Sequence, residues 1–319
     1  MKKELIFCLA VLVFCLAACQ QKKDTLLIFH AGSLSIPIKN LTEEFMRVNP
    51  GVVIQTEAAG SRTCARKITE LNRAADIMAS ADSEVIRRLM IPDHAGFCID
   101  FAVNAMTIMY NERSRYAGEI SADNWPDILL RSGVEYGHSD PDADPCGYRT
   151  ILCWKLAEKY FKRPGLYSQL KGKLPRKNIR PKEVDLLALL DAGELDYIFI
   201  YRSIAEQHKG HYIALPDEIN LRSPSLESLY KEVSVEISGA APGEKIVRRG
   251  APIIYGITIP NTVRYPELAE RFVAFVIGLE GQRIMQESSL FPVMSPRVDH
   301  IEALPESLKM FFTRGRDEI

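Results

Sequence analysis

The segment from residue 138 to 149 (HSDPDADPCGYR) holds three carboxylates, two prolines and a glycine directly before an apolar, periodic run. This concentration of special residues makes it the first candidate for a binding site. Pro141 and Pro145 each disfavour the helical region for the residue before them. Asp140 and Asp144 are therefore predicted to lie in extended backbone, with a helix beginning just after Asp144.

Cys146 and Gly147 follow at the start of that predicted helix, where backbone amides have no partner within the helix. Such amides attract anions, yet Asp144 is an anion beside them. A second interpretation is an enzyme in which Cys146 is a nucleophile activated by the helix N-terminus. That chemistry needs a histidine base close by, and His138 is the nearest in sequence.

Four loops share one pattern, in which a buried strand leads through small or polar residues into a helix. They are Gly32-Ser33, Gly60-Ser61, Cys146-Gly147 and Tyr201-Arg202-Ser203. Serines at such positions commonly cap helices and do nothing more. Four helix N-termini converging on one cleft would instead bind a compact oxyanion through neutral donors, because each carries a partial positive charge.

The elements that must position these loops alternate along the chain. Apolar runs at 25–30, 52–57 and 75–79 are predicted strands, and periodic segments at 37–48, 62–73 and 83–90 are predicted helices. This alternation is typical of a parallel sheet covered by helices. Loops at the carboxyl ends of such strands line the ligand crevice.

Two longer apolar runs, at 101–110 and 253–259, are candidates for strands that cross between two domains. A chain of 319 residues exceeds a comfortable single core, so two domains are expected. We name them lobe 1 (residues 25–104 plus 251–319) and lobe 2 (105–250). One long helix is predicted at 266–287 and a strand at 212–221, and the stretch 161–180 is predicted to be irregular.

The N-terminus is predicted to be a targeting segment. Residues 1–18 resemble a signal peptide, with two lysines before a short apolar run. The sequence Leu16-Ala-Ala-Cys19 resembles a bacterial lipobox, so Cys19 is the predicted lipidation site and 19–24 a tether. We therefore expect an extracytoplasmic protein, anchored to the cell membrane or held in the periplasm.

The other features of composition exclude some classes of protein. A net charge of −1 without a long run of one sign argues against nucleic-acid binding. Scattered histidines argue against a metal-cation site, and no cofactor is expected. Beyond Cys19 there is no CxxC motif, so Cys64, Cys98, Cys146 and Cys153 are predicted to be mostly buried apolar residues.

Five motifs carry a resemblance to a known family. They are Phe29-His-Ala-Gly-Ser-Leu34, Ala58-Ala-Gly-Ser61, the segment from Ser139 to Arg149, Arg180-Pro-Lys-Glu-Val-Asp-Leu186 and Tyr255-Gly-Ile-Thr-Ile-Pro260. Over residues 26–292 the chain resembles the molybdate/tungstate-binding proteins of ABC importers, in the subfamily first known from archaea. The resemblance implies a type II periplasmic-binding-protein fold, with two α/β lobes joined by two crossover strands and a ligand cleft between them.

The resemblance also implies roles for individual residues. Those matched to the oxyanion site are Ser33, Ser61, Asp144, Cys146, Gly147 and Tyr201. Asp144 matches a carboxylate that approaches the metal of the oxyanion. Sulfate cannot take an additional oxygen ligand, so this aspartate would select against it.

One position departs from the family pattern. Ile200 stands where a second carboxylate, a glutamate, is aligned. We therefore expect Asp144 to act alone and the bound anion to remain tetrahedral or partly distorted.

The sequence thus predicts a lipid-anchored, monomeric receptor that captures molybdate or tungstate, delivers it to an ABC permease and catalyses no reaction. Two alternatives remain open. One is a receptor for another tetrahedral oxyanion, sulfate or phosphate, and the other is the hydrolase that uses Cys146.

Overall fold

The computed structural model describes residues 24–239 and 243–313. The predicted signal peptide, Cys19 and nearly all of the tether lie outside these residues. Within the described part, no helix is both long and apolar enough to span a membrane.

Thirteen strands, numbered in chain order, are found in the described ranges. They are β1 Thr25–Ala31, β2 Val53–Ala59, β3 Ile77–Ser80, β4 Cys98–Val103, β5 Met106–Tyr110, β6 Tyr136–Ser139, β7 Ile179–Arg180, β8 Tyr197–Tyr201, β9 His211–Ala214, β10 Ser234–Ser238, β11 Lys245–Arg249, β12 Ile254–Thr258 and β13 Phe291–Asp299.

The α-helices of the same ranges are α1 Ser35–Val48, α2 Ser61–Thr69, α3 Ser83–Leu89, α4 Trp125–Leu130, α5 Pro145–Tyr160, α6 Leu166–Lys173, α7 Asp185–Asp191, α8 Arg202–Gln207, α9 Asp217–Asn220, α10 Glu227–Tyr230, α11 Pro266–Ile277, α12 Leu279–Glu287 and α13 Glu306–Thr313. Short 3₁₀ turns at Gly32–Leu34, Arg176–Asn178, Pro224–Leu226 and Ile301–Ala303 complete the described helical structure.

The strands form two mixed sheets and one hairpin. A six-stranded sheet has the order β13-β4-β12-β3-β1-β2, and a five-stranded sheet has the order β7-β6-β8-β5-β9. β10 and β11 pair as a separate antiparallel hairpin. In the first sheet β1 is parallel to β2 and β3, whereas β12 is antiparallel to β3 and β4.

The side chains of β1 alternate between the two faces of the six-stranded sheet, and each face is packed against a core. Ile28 belongs to a core that includes Phe45 of α1 and Phe272 of α11. Its neighbour Phe29 points to the opposite face and belongs to a second core with Ile68 of α2. With helices on both faces, the loops after the strands are left to form the rim of the cleft.

The predicted strand at 101–110 is in fact two strands in different sheets. β4 ends at Val103, and β5 begins at Met106 in the five-stranded sheet. Between them the Asn104 amide donates to the carbonyl of Ile253 on the returning segment (3.3 Å). The two chain connections between the sheets therefore touch each other here.

Three other predictions of secondary structure were wrong in detail. The helix predicted at 266–287 is two helices, because Gly278 lies in extended backbone between them (ψ 173°). The irregular stretch 161–180 contains α6. The strand predicted at 212–221 is only β9, followed by α9.

Candidate functional site

Asp144 lies in extended backbone (φ −138°, ψ 132°) immediately before α5, as the prolines predicted. Its carboxylate accepts hydrogen bonds from the amide of Cys146 (3.4 Å) and from the amide of Glu183 (3.1 Å). The side chain is fully buried. Burial raises the pKa of the Asp144 carboxyl above its ordinary value, because removal from water disfavours the charged form.

Glu183 supplies a second carboxylate at this point, and sequence reasoning missed it. It is also fully buried, and neither of its carboxylate oxygens has a hydrogen-bond partner among the described residues. Burial, and next the neighbouring Asp144 carboxylate, raise the pKa of Glu183 well above its ordinary value. Two buried acids share one small space, which is costly unless something between them neutralises the charge.

The expectation of a single carboxylate at this point therefore does not fit the structure, which places Glu183 beside Asp144. It assumed that the second carboxylate would come from the position of Ile200. Ile200 is buried in the middle of β8 and pairs with Thr107 of β5. Strand alternation points its side chain away from the face of Tyr201. The second carboxylate comes instead from the segment before α7, within the Arg180–Leu186 motif that carried the resemblance.

Ser33 and Ser61 lie where strands of lobe 1 turn into helices. Ser33 is in the 3₁₀ turn after β1, and its Oγ accepts from the hydroxyl of Tyr255 (3.0 Å). Ser61 begins α2, and its Oγ accepts from the amide of Ala81 (2.9 Å). A hydroxyl that accepts one hydrogen bond keeps its own proton to donate. Both serines are buried at the interface of the lobes.

The loops of lobe 1 contact the carboxylates of lobe 2 directly. A Cβ atom placed on Gly32 would lie 3.2 Å from Oε2 of Glu183. A Cβ atom on Gly60 would lie 2.4 Å from the carbonyl oxygen of Ala143 and 3.1 Å from Cβ of Asp144. The Ser33 loop thus faces Glu183, the Ser61 loop faces Asp144, and the lobes are closed on each other.

A buried polar chain connects the first serine with the crossover. Asn104 donates through Nδ2 to Oγ of Ser203 (2.8 Å) and to the hydroxyl of Tyr255 (2.9 Å). The hydroxyl of Tyr255 in turn donates a hydrogen bond to Oγ of Ser33. Neither Asn104 nor Tyr255 was predicted as a site residue, although Tyr255 begins one of the shared motifs.

Tyr201 lies at the end of β8, fully buried, with its ring 5.9 Å from that of Tyr255. Its hydroxyl accepts a hydrogen bond from Nη1 of Arg149 (2.8 Å). The arginine is also buried and donates to the carbonyl of Ala81 in lobe 1 (2.6 Å). Tyr201 is therefore held at the junction of the lobes by a charged partner.

The predicted helix-start amides of α5 are both bonded to Asp144. The Cys146 amide donates to its side chain, and the Gly147 amide donates to its carbonyl (3.1 Å). A Cβ atom on Gly147 would lie 2.2 Å from the carbonyl oxygen of Ser139, so this close approach requires glycine. Direct donation from either amide to a ligand stays a prediction.

The Cys146 thiol is unsuited to nucleophilic chemistry. It is fully buried, and burial raises its pKa well above the ordinary value, with Asp144 adding to the effect. Its Sγ lies 3.8 Å from the carbonyl oxygen of Phe199. Like Cys64, Cys98 and Cys153, it is a free, buried cysteine, which confirms the expectation for these four residues.

A cavity of about 960 Å³ lies elsewhere between the lobes. Asp82, Arg149 and Arg248 are among the residues that line it, and none of the predicted oxyanion residues does. The carboxylate and serine cluster is instead sealed from solvent. Its enclosure suits a compact ligand better than an extended one.

Comparison with known sequences identifies the relatives of the chain. The model of a family described as bacterial extracellular solute-binding proteins matches residues 26–288. An uncharacterised solute-binding protein of Petrotoga mobilis is 49% identical over 92% of this chain and 91% of its own. The molybdate/tungstate-binding protein WtpA of Thermococcus kodakarensis is 40% identical over 84% of this chain and 82% of its own.

Solved structures of low sequence identity share the architecture. The periplasmic molybdate-binding protein of Azotobacter vinelandii superposes with a TM-score of 0.60 at 14% identity, covering 83% of this chain and 98% of its own. The sulfate-binding protein SubI of Mycobacterium tuberculosis superposes with a TM-score of 0.60 at 13% identity, covering 85% of this chain and 87% of its own. The periplasmic-binding-protein fold implied by the sequence is thereby confirmed.

Proposed function

Because the chain belongs to the family of bacterial extracellular solute-binding proteins, we propose that it captures molybdate or tungstate and delivers the anion to an ABC importer. The relatives and structural neighbours are binding proteins rather than enzymes, and this chain is not an enzyme. Relatives at 40% identity that are named for molybdate and tungstate support the choice of ligand.

The single observation that carries the choice of ligand is the buried pair Asp144 and Glu183. In their charged forms the two carboxylates would repel a purely hydrogen-bonding oxyanion such as sulfate. The metal of molybdate or tungstate is an electrophile that accepts additional oxygen ligands. A carboxylate oxygen directed at the metal therefore gains an attraction that sulfur or phosphorus cannot offer.

The remaining groups suit the oxygen atoms of the anion. Ser33 and Ser61 each keep a hydroxyl proton to donate, and they face the two carboxylates from the other lobe. Tyr201 flanks the same space. In this arrangement lobe 1 binds oxygen atoms and lobe 2 presents oxygen ligands to the metal.

Location and partners are further parts of the proposal. The lipobox at Leu16-Ala-Ala-Cys19 supports a lipid anchor on Cys19 that holds the receptor at the membrane surface near its permease. We take the receptor to be a monomer. Lobe 1 (25–104 plus 251–319) and lobe 2 (105–250) remain a proposed division, supported by the membership of the two sheets.

Titration calorimetry of the mature protein with molybdate, tungstate, sulfate and phosphate tests the function. Molybdate or tungstate should bind tightly, and sulfate and phosphate weakly. Glu183→Gln and Asp144→Asn should each weaken molybdate binding by about tenfold or more, because each replaces an anionic oxygen ligand to the metal with a neutral amide. Sulfate binding should stay equal or improve, because one repulsive charge is gone.

The matched control is Asp140→Asn, which replaces a half-buried carboxylate in the same turn. The Asp140 side chain accepts a hydrogen bond from the local amide of Asp142. The affinities of this variant should match those of the wild-type protein. Tight binding of sulfate or phosphate without binding of molybdate or tungstate would overturn the proposed function and favour the alternative oxyanion receptor.

A further inference from the structure

Asp82 is the centre of a cluster of charged residues that joins the two lobes. It belongs to lobe 1, where it precedes α3. Arg248 of lobe 2 donates to its Oδ2 from Nη2 (2.6 Å), and Tyr148 donates its hydroxyl to the same oxygen. Arg149 adds an ion pair at 3.6 Å. All three partners come from lobe 2.

A second group of bonds ties α2 of lobe 1 to the same part of lobe 2. Nε of Arg62 donates to the carbonyl of Asp142 (3.1 Å), and its Nη2 donates to the carbonyl of Ser238. Arg66 donates to the carbonyl of Gly239 (2.7 Å). Ser238 ends β10 and Arg248 lies in β11, so the β10–β11 hairpin is held to lobe 1 at both of its strands.

These charges are compensated only while the lobes are together. Asp82, Arg149 and Arg248 are each less than a tenth exposed. Burial alone would raise the pKa of Asp82, but Arg248 and Arg149 hold it at about 2. Removing Asp82 takes the nearest carboxylate away from two buried arginines in the closed state, whereas water would solvate them in an open state. Loss of Asp82 therefore penalises closure specifically.

The cluster is also connected to the binding residues. Arg149 donates to the carbonyl of Ala81 and to the hydroxyl of Tyr201. The amide of Ala81 in turn donates to Oγ of Ser61. Asp82 is adjacent to Ala81 in the chain, so the ion pairs of Asp82 fix the residue that orients Ser61.

We propose that Asp82 is a positioning residue that latches the lobes closed through Arg248 and Arg149 and thereby sets how slowly the bound anion leaves. It touches neither the anion nor the carboxylate pair. The latch controls the lifetime of the complex, whereas Asp144 and Glu183 control which anion is accepted. This inference rests on the proposed function for the identity of the anion. The prediction that Asp82 holds the lobes together does not depend on which anion is bound.

Stopped-flow dissociation of molybdate from the mature protein tests the latch. Asp82→Asn and Arg248→Gln should each raise the dissociation rate roughly 10- to 100-fold, as truncating a buried interfacial charge pair does. The ratio of molybdate to sulfate affinity should stay within about twofold of the wild-type ratio, because neither side chain reaches the carboxylate pair. Asparagine retains the cap on the amide of Glu84 that Asp82 provides (3.0 Å).

Arg87→Gln is the matched control. Arg87 is a partly buried arginine of α3 whose ion pairs, to Asp100 (2.9 Å), Asp299 and Glu84 (3.7 Å), stay within lobe 1. Its loss should lower thermal stability without changing the dissociation rate. Equal dissociation rates for the latch variants and wild type, or an equal increase for Arg87→Gln, would overturn the proposal.

Small-angle scattering of the ligand-free proteins tests the latch independently of the proposal about which anion binds. Asp82→Asn and Arg248→Gln should have a larger radius of gyration than wild type and Arg87→Gln, whatever anion the receptor binds. Failure of molybdate to bind with this difference present would contradict the proposed function and support the latch. Identical scattering profiles for all four proteins would contradict the latch.

Discussion

At the scale of single residues, the proposed binding site combines burial with charge, which oppose each other energetically. Asp144 and Glu183 are fully buried beside each other, and neither carboxylate oxygen of Glu183 has a hydrogen-bond partner in the described ranges. Stability alone would favour removing such a pair. In the function proposed above, the pair gives a metal-centred ligand an energetic advantage that sulfate or phosphate lacks, because only the metal attracts the carboxylate oxygens.

This conflict predicts how the stability of the ligand-free protein depends on pH. The folded chain holds the Glu183 proton at pH values where the unfolded chain has lost it, because the folded pKa is raised above the ordinary 4.5. The free energy of unfolding should therefore fall as pH rises from the ordinary pKa through the raised one. Urea unfolding between about pH 5 and about pH 8 measures this slope.

Glu183→Gln provides the comparison for that experiment. The variant cannot titrate at this position, so its stability should fall less between the two pH values and should exceed that of wild type at the upper one. Parallel slopes for the two proteins would mean that the Glu183 carboxyl is not buried with a raised pKa.

The sequence predicted most of these residues but not the pair as a unit. Asp144 was found because prolines and a helix start surround it, and Ser33 and Ser61 because a strand and a helix flank each of them. Glu183 lacks any such local signal. It lies 39 positions after Asp144 in the chain, and only the fold brings the two residues together. Its membership of a shared motif was the available hint.

At the scale of elements, the site is made by two helix starts brought close together. α2 begins at Ser61 and α5 begins beside Asp144, and the amide of Thr63 donates to the carbonyl of Ala143 across the cleft (3.4 Å). Gly60 leaves room for this approach. Strand and helix periodicity predicted both helices, but their distance is set by the closure of the lobes and not by local sequence.

Gly60→Ala should therefore obstruct closure. The added Cβ would lie 2.4 Å from the carbonyl oxygen of Ala143, a backbone atom that cannot rotate away. The φ of −59° at this position is accessible to alanine, so lobe 1 itself should fold normally. We expect at least about tenfold weaker anion binding with an unchanged urea midpoint for the ligand-free protein.

Gly118→Ala is the control, because nothing lies within 4 Å of the corresponding Cβ position. It should bind like wild type. Wild-type affinity for Gly60→Ala would show that the lobes do not approach at this point when the anion binds.

At the scale of the whole molecule, the two sheets differ in whether their strands are consecutive in the sequence. The five-stranded sheet uses β5 to β9, which are contiguous in sequence. The six-stranded sheet uses β1 to β4 together with β12 and β13, and β12 lies between β3 and β4. Apolar alternation predicted the individual strands, but the order in which distant strands pair has no local signal.

A fragment of residues 105–250 should therefore fold alone, because it holds every strand of its sheet. Residues 25–104 should not, because β3 and β4 lose the strand that joins them. Circular dichroism and cooperative urea unfolding of the two fragments test this difference. A cooperative transition for 25–104 and none for 105–250 would contradict the proposed lobes.

The late position of β12 has a consequence for biosynthesis. Synthesis proceeds from the amino end, so β3 and β4 emerge about 150 residues before the strand that must separate them, since β4 ends at Val103 and β12 starts at Ile254. During that interval both present unpaired edges, which other chains can join. The nascent protein is thus most exposed to aggregation midway through its synthesis, and β12 ends that period when it inserts.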